Sequence, residues 1–248
     1  MIELKNIYKS YGNLEVLHDI NLSIRDHEIV TIVGPSGAGK TTLLQIAGSL
    51  DKADRGCVSY DGVELTSMGD KDLSRFRNRH IGFVFQFHQL LPEFSAQENV
   101  AMPALIAGIG RRKAMEKAAE LLSGLGLGER LRHKPGQMSG GERQRASIAR
   151  ALINDPKVIF ADEPTGSLDS HNRDEIYGII SDLRHRLGQT FVIVTHDPTF
   201  KTIADRVVDM ADGRITAVSE TALIPDADIE IQAEITTDAD SASITDMA

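Results

Sequence analysis

The chain contains the stretch Gly34-Pro35-Ser36-Gly37-Ala38-Gly39-Lys40-Thr41, which reads G-x-x-x-x-G-K-T. An apolar, β-branched segment at 28–33 precedes it, and a helix-forming segment at 42–47 follows it. Strand, glycine loop and helix are the context of a phosphate-binding loop, where backbone N–H groups and the positive end of the helix point at a phosphate. In such a loop Lys40 places its charge on the terminal phosphates and Thr41 offers its hydroxyl to Mg²⁺. We therefore predict a phosphate site here rather than an ordinary glycine-rich turn.

The composition limits the class of protein. A length of 248 residues predicts one large domain or a domain with a subdomain. No apolar run approaches the ~20 residues that a membrane span needs, and residues 1–5 do not read as a signal peptide. The lone cysteine, Cys57, argues against an internal disulfide framework and favours a reducing cytosol. These features predict a cytosolic protein that reaches a membrane only through partners.

Charge is distributed unevenly along the chain. The formal net charge is -9, but eight of the 36 acidic residues and no Lys or Arg follow position 218, so residues 1–218 are close to neutral. A near-neutral body argues against nucleic acid as the main ligand. The segment 219–248 is low in aromatic residues and single-signed in charge, which predicts a disordered acidic tail.

Strand and helix patterns alternate through most of the chain. This alternation predicts an α/β fold with a mostly parallel sheet covered on both faces. The predicted strands lie at 28–33, 81–86, 157–162 and 189–195, and the predicted helices at 71–79, 142–153 and 173–187.

Other segments predict additions to this core. Short strands at 2–7 and 20–24 are expected to flank a loop that carries Tyr11. A strand ending in an Asp-Gly turn at 56–63 and a hairpin at 207–218 complete an antiparallel β portion. Helix-forming segments at 95–106 and 111–125 predict an α-helical subdomain at about 87–150, inserted in a domain that spans 1–218.

Two adjacent acids, Asp162 and Glu163, stand where an apolar strand ends. Acids at the carboxyl end of a parallel strand face the ligand crevice. Asp162 can hold Mg²⁺ directly or through water, and Glu163 can orient and deprotonate an attacking water. Alone, the pair would read as a solvated strand end, but beside a phosphate-binding loop it predicts a catalytic pair.

A second candidate anion site lies at Ser139-Gly140-Gly141-Glu142. Ser139 and Glu142 have the spacing of a capping box, so Ser139 is expected to begin a helix. Gly140 and Gly141 leave the backbone N–H groups at this helix start uncovered, as an anion site requires. The alternative is an ordinary helix cap with a basic helix face.

Together, these elements resemble the ABC ATPase family over about residues 1–218, with a P-loop NTPase core. The resemblance implies named roles for short segments, with Met138 standing where the family usually has Leu. They are Gly34 to Thr41 as the Walker A loop, Gln86 as the Q-loop glutamine, 139–142 as the signature, 158–163 as the Walker B strand, 167–169 as the D-loop and His196 as the switch histidine.

The resemblance also implies an ATP site completed by a second copy of the chain in a head-to-tail homodimer. Its expected nucleotide contacts are Tyr11 at the adenine, the loop residues from Gly34 to Thr42 (with Pro35, Ser36, Gly37, Ala38, Gly39, Lys40 and Thr41 between them) at the phosphates, and Ser139, Gly140, Gly141 and Asp169 from the partner copy. Thr41, Gln86 and Asp162 would hold Mg²⁺, and Glu163, His196 and Gln86 would act in hydrolysis. Four of these assignments have plain structural alternatives: a surface tyrosine, a strand-end amide, a helix N-cap at Asp169 and a structural histidine.

The segment 85–103 is similar to the ATP-binding subunits of bacterial lipoprotein-releasing (Lol) systems. That resemblance implies ATP hydrolysis that drives lipoprotein release, on the cytoplasmic face of the inner membrane, with an integral-membrane permease contacted near Phe87–Phe94. The alternative for those residues is packing within the helical subdomain. Alternative functions are the ATPase of a macrolide or peptide exporter or of a cell-division complex, a soluble ABC ATPase acting on nucleic acid, and an ATP switch with negligible turnover.

Overall fold

The computed structural model describes residues 1–220. The strands are β1 (Ile2–Tyr11), β2 (Leu14–Ile24), β3 (Ile29–Val33), β4 (Arg55–Tyr60), β5 (Val63–Glu64), β6 (Ile81–Phe85), β7 (Val158–Asp162), β8 (Thr190–Val194), β9 (Arg206–Ala211) and β10 (Arg214–Glu220). The helices are α1 (Lys40–Ala47), α2 (Asp70–His80), α3 (Ala96–Ile106), α4 (Arg111–Gly124), α5 (Gly140–Leu152), α6 (Ser170–Leu187) and α7 (Phe200–Ile203), with 3₁₀ turns at Gly128–Arg130 and Pro135–Gln137.

A six-stranded sheet forms the centre of the fold, in the order β10-β9-β3-β8-β7-β6. Strands β9, β3, β8, β7 and β6 are parallel, and only β10 is antiparallel to its neighbour. Alternate residues of β3 enter two different hydrophobic clusters, with Val30 and Ile32 on one face and Ile29 and Val33 on the other. The predicted parallel sheet with two covered faces is therefore confirmed, and β3 lies near its middle.

The antiparallel portion is a separate four-stranded sheet, in the order β2-β1-β4-β5. Its strands β1 and β2 are longer than predicted, because pairing continues through register shifts after Leu4 and Ile7. Tyr11 is consequently the last residue of β1, paired with Leu14, and does not lie in the predicted loop. The Asp61-Gly62 turn joins β4 to β5 as expected.

Helices α3, α4 and α5 surround a third hydrophobic cluster, which includes Val100, Ala118, Leu122 and Ala149. The far end of α5 also packs on the central sheet, since Ile148 and neighbouring residues belong to the second cluster. The assignment of 87–150 as an inserted subdomain stays a prediction. No helix among the described residues has the length and apolar character to cross a membrane.

The predicted start of the acidic tail at Ser219 is wrong. Ser219 and Glu220 belong to β10 and pair with Val207 and Arg206 of β9, because the hairpin ladder continues past the predicted end at Val218. The remainder of the predicted tail, 221–248, lies outside the described residues.

Candidate functional site

The glycine loop runs from the end of β3 to the start of α1. Gly39 precedes the helix with φ 92°, and a Cβ there would lie 2.8 Å from the Leu17 side chain and 2.9 Å from the Val16 carbonyl oxygen. Only glycine fits both this backbone conformation and this approach of β2. Lys40 Nζ donates to the carbonyl oxygens of Gly34 and Pro35, each at 2.9 Å, so the ammonium lies across the loop. The predicted strand, loop and helix are therefore in place.

A cavity of about 560 Å³ opens over this loop. Most of the predicted ATP contacts line it, together with two of the three side chains predicted to act in hydrolysis, Glu163 and His196. Its lining residues are Tyr11, Leu14, Val16, Gly34, Ser36, Gly37, Ala38, Gly39, Lys40, Thr41, Thr42, Glu163, Val194 and His196. Pro35, Gln86, Asp162, Ser139, Gly140, Gly141 and Asp169 are outside this set. The structure thus divides the predicted site residues into a cavity group and a group placed elsewhere.

Two of the three candidate metal ligands, Thr41 and Asp162, meet beside the loop. Thr41 Oγ1 donates to Asp162 Oδ1 at 3.2 Å. Burial raises the pKa of Asp162 and the charge of Glu163 adds to this effect, while Thr41 and Lys40 oppose it. Gln86 follows β6, whose last residue Phe85 is in register with Asp162, but its side-chain amide lies against Gly166.

Within residues 1–220, no three His, Cys, Asp or Glu side chains are grouped as a metal site. A hydroxyl and one carboxylate beside a phosphate loop nevertheless suit Mg²⁺, which retains waters and takes further ligands from substrate phosphates.

Glu163 adopts a strained backbone conformation next to the cavity. Its φ is 47°, which is uncommon for a residue with a Cβ and costs of order 1 kcal/mol or more. Its carboxylate accepts from His196 Nδ1 at 2.9 Å and from Thr195 Oγ1 at 3.1 Å. Glu163 and His196, 33 positions apart, therefore form one acid–base pair at the cavity edge.

Tyr11 lies at the other end of the cavity. Its hydroxyl donates to Asp51 Oδ2 at 2.6 Å, and Lys9 Nζ lies 5.0 Å from the centre of its ring. Tyr11 is 49% exposed. The ring is therefore fixed through its hydroxyl but remains accessible to a ligand. Such an anchored aromatic ring can stack on a base.

The turn at Ser139 has the predicted capping box. Glu142 N–H donates to Ser139 Oγ at 3.1 Å, and Ser139 N–H donates to Glu142 Oε2 at 2.7 Å. The hydrogen bond from the Ser139 backbone and the one from Arg130 lower the pKa of Glu142. The helix starts at Gly140 with Ser139 as its N-cap, which confirms the start predicted from the capping-box spacing; only the helical run expected from Glu142 begins two residues later than the observed helix.

Asp169 is the N-cap of α6 and accepts from Asn172 N–H at 2.9 Å. The Asn172 side chain also donates to both carboxylate oxygens of Asp169, and it fills the space beside Gly141. The cap alternative for Asp169 is thus present, and it joins the D-loop segment to the Ser139 turn.

The segment predicted to contact a permease is partly exposed. Phe87, Leu91 and Phe94 are 75%, 44% and 38% exposed, whereas His88 is buried at 7% and Leu90 packs on the helical cluster. His88 and Leu90 are therefore packed within the chain, and contact of the exposed residues with a permease stays a prediction. A cavity of about 410 Å³, lined partly by Phe85, Gln89 and Ile106, lies next to it.

Sequence reasoning missed several residues of the site. Thr195 and Val194 contribute through the end of β8, and Leu14 and Val16 through β2. The position of Thr195 at a strand end directly before His196 could have indicated it. Leu14 and Val16 gave no local signal, because the antiparallel sheet brings them to the cavity.

A strand-loop-helix phosphate cradle, a strand-end Asp-Glu pair and a paired histidine define a P-loop nucleoside triphosphatase. The sequence pattern of the family described as ABC transporter matches residues 17–166. The chain belongs to this family, and it is an ATP-binding ABC ATPase.

Its relatives include the lipoprotein-releasing system ATP-binding protein LolD of Bacteroides fragilis, 59% identical over 215 residues, with 87% of this chain and 100% of the relative covered. The protein of the same name from Porphyromonas gingivalis is 53% identical over 213 residues, covering 86% and 97%. A solved ATP-binding cassette, a dimer in a post-hydrolysis state with ADP and inorganic phosphate, has a TM-score of 0.82 at 38% identity, covering 89% of this chain and 98% of its own.

Proposed function

We propose that this chain is the ATP-hydrolysing subunit of a system that releases lipoproteins from a bacterial inner membrane toward the outer membrane. The observation that carries the proposal is the 59% identity to a lipoprotein-releasing ATP-binding protein along the whole of that relative. The glycine loop and Glu163 lie within the residues that match the family pattern, and the cavity residues supply the parts that hydrolysis requires.

In this proposal the loop from Gly34 to Thr42 holds the phosphates of ATP, with Lys40 on the terminal ones, and Tyr11 stacks on adenine. Thr41, Asp162 and Gln86 would hold Mg²⁺, and a bound ion would supply positive charge against the phosphates. Glu163 orients the attacking water and accepts its proton, the role of a general base. His196 contacts the terminal phosphate.

A second copy of the chain completes the site. The Ser139 turn and Asp169 lie outside the cavity, and the exposed Ser139 stands at the N-terminus of α5, a position that suits an anion. A two-fold dimer would place each turn over the nucleotide of the other copy. The solved relative that is dimeric with ADP and phosphate supports this arrangement.

Integral-membrane partners would dock at the exposed side chains of Phe87, Leu91 and Phe94, beside the cavity lined by Phe85 and Ile106. An apolar surface of this kind, next to Gln86, fits a helix of a partner. The chain would then lie on the cytoplasmic face of the inner membrane, held there by its partners.

The test uses the full chain, purified from membranes with its native permease and placed in proteoliposomes that contain a lipid-anchored protein. ATP should release the anchored protein. Glu163→Gln should bind ATP, accumulate as an ATP-bound dimer and hydrolyse ATP at least ~100-fold more slowly, because a carboxamide cannot accept the proton. Glu120→Gln, an equal charge change at an exposed position of α4, is the matched control and should leave all three readouts unchanged.

Two results would overturn the proposal. Near-normal hydrolysis by Glu163→Gln would remove Glu163 as the base. Co-purification with an efflux or cell-division permease, together with no ATP-dependent release, would replace lipoprotein release with one of the alternative functions.

A further inference from the structure

Thr195 lies directly after β8, between the strand and His196. It is 0% exposed, and its N–H donates to the carbonyl oxygen of Ile32 in β3, the strand that leads into the glycine loop. Its hydroxyl accepts from Asp197 N–H at 3.0 Å and contacts Glu163 Oε2 at 3.1 Å. A backbone N–H can only donate, so the single hydroxyl proton is left for Glu163. The direction of both hydrogen bonds is therefore fixed.

Asp197 holds this arrangement from the other side. Its carboxylate accepts from the hydroxyl of Tyr177 on α6 and from Thr199 N–H at 3.0 Å, and Arg173 lies 3.7 Å away. Burial opposes ionisation of Asp197, but the Tyr177 and Thr199 hydrogen bonds and the charge of Arg173 outweigh it, and the pKa is lowered. The Tyr177 ring is itself fixed edge-on against Phe200, with centres 4.7 Å apart. The turn after β8 is thus tied to α6.

The carboxylate of Glu163 also accepts a hydrogen bond from the imidazole side chain of His196. That side chain is 74% exposed, so its ring can turn toward a bound phosphate without disturbing the core. The hydroxyl of Thr195 is enclosed and cannot turn away in the same manner. The His196 ring contacts Oε1, whereas the Thr195 hydroxyl contacts Oε2 at 3.1 Å, with the His196 backbone N–H at a longer 3.4 Å from the same oxygen.

We propose that Thr195 is a positioning residue that holds Oε2 of Glu163 while Oε1 is left for the attacking water when His196 turns to the nucleotide. The inference rests on the proposed role of Glu163 in hydrolysis. A carboxylate held at one oxygen keeps the other in a fixed direction, which general-base catalysis requires.

Two substitutions separate the hydroxyl from the shape of the side chain. Thr195→Val keeps the shape and removes the hydroxyl, and Thr195→Ser keeps the hydroxyl. In the full chain we expect Thr195→Val to lower kcat for ATP about tenfold, as loss of one hydrogen bond to a charged group can do, with KM changed less than about twofold. Thr195→Ser should stay within about twofold of wild type in both parameters.

A second measurement distinguishes positioning from a structural role. In the Glu163→Gln background, Thr195→Val should change the residual rate by less than about twofold, because no carboxylate remains to be positioned. A structural role would lower the rate by the same factor in both backgrounds. Tyr177→Phe, which removes a hydroxyl one step further away, should lower kcat about two- to threefold with KM unchanged and covers the case in which Thr195→Val does not fold.

The inference is overturned if Thr195→Val folds and keeps normal kcat, if Thr195→Ser loses as much as Thr195→Val, or if the loss is equal in both backgrounds. It is also overturned if Thr195→Val does not fold and Tyr177→Phe keeps normal kcat. These results differ from failure of the proposed function, which near-normal hydrolysis by Glu163→Gln alone would show.

Discussion

A buried ion pair supports the strand that carries the glycine loop. Glu28 stands just before β3 and Arg206 begins β9, the neighbouring parallel strand, and each side chain is only 6% exposed. Arg206 Nη1 lies 3.2 Å from Glu28 Oε1, and Nη2 donates to the Ser23 carbonyl oxygen at 2.9 Å. Glu28 also accepts from Arg25 N–H at 2.6 Å. Every charged atom named here has a partner, as burial requires.

We expect Arg206→Met to destabilise the protein by about 3–5 kcal/mol, because it leaves the Glu28 carboxylate buried without its counter-charge. For a chain of this size that corresponds to a fall of about 10 °C in Tm. The double variant Glu28→Leu/Arg206→Met removes both charges, and its cost should be ~1 kcal/mol or less. An exposed pair is the matched control: Arg112→Met removes the partner of Glu116, where side-chain exposures are 81% and 54%, and should cost under ~0.5 kcal/mol.

The loss in Arg206→Met should also depend on pH. Burial already raises the pKa of Glu28, against the hydrogen bond from Arg25 and the charge of Arg206. Removing Arg206 raises it further, so the folded state then holds a proton that the unfolded state has released. The contribution of Glu28 to the stability of the variant is therefore complete at low pH and is lost as the pH rises from the unfolded-state pKa to the folded-state pKa. The difference in stability from wild type should therefore become smaller as the pH is lowered toward the unfolded-state pKa of a glutamate.

The assay is urea unfolding at several pH values, followed by circular dichroism, with m-values compared so that only stability is read. A cost below ~1 kcal/mol for Arg206→Met would contradict the reasoning. A double variant that costs as much as the two single variants together would also contradict it, since the coupling energy would then be zero.

Two further outcomes follow from single contacts. Hydrogen bonds from Lys157 and from the Met1 ammonium lower the pKa of Asp61 from 3.8 to about 2, so Lys157→Met should raise its midpoint in an NMR titration; an unchanged midpoint would be contrary evidence. The stability that Asp61 contributes is complete above about pH 4 and is lost as the pH falls through its folded pKa. A Cβ at Gly141 would overlap the Asn172 side chain. Gly141→Ala should therefore push Asn172 away from Asp169 and lower the free energy of unfolding by about 2 kcal/mol, measured by thermal unfolding. Gly178→Ala, with nothing within 4 Å of the new methyl, should be neutral or stabilising, and equal costs for the two would refute the argument.

Local chemistry explains what the sequence could predict. The glycine loop and the Ser139 capping box depend on residues within one turn of each other, and both appear as expected. Strands β3, β7 and β8 are continuous apolar runs, so their existence was readable although their ends differ by a residue. The lengths of β1 and β2 could not be predicted from the sequence, because irregular register interrupts the alternation of buried and exposed residues.

Contacts across the sheet explain what the sequence could not predict. Thr195 meets Glu163 because β8 and β7 are neighbours in register, with Val194 beside Asp162, although they are distant in the chain. Asp51 fixes Tyr11 from 40 positions away, and Arg206 meets Glu28 across 178 positions. None of these pairs is indicated by the sequence of a local segment. Each depends on the order of strands in the sheets, which the alternation of strands and helices along the chain does not determine.

Helix α6 brings the two halves of the proposed mechanism into contact within one copy of the chain. Asp169 is its N-cap, and Asn172 in its first turn packs against Gly141. Gly141 belongs to the Ser139 turn, which is proposed to face the nucleotide of the other copy. Less than two turns later, Tyr177 binds Asp197 and so supports Thr195 and Glu163 at the copy's own nucleotide. An α-helix of this length is stiff over those few residues, so a displacement at its start also moves Tyr177. In the proposed dimer, the Ser139 turn that would face one nucleotide and the support of Glu163 at the other would therefore share one rigid element.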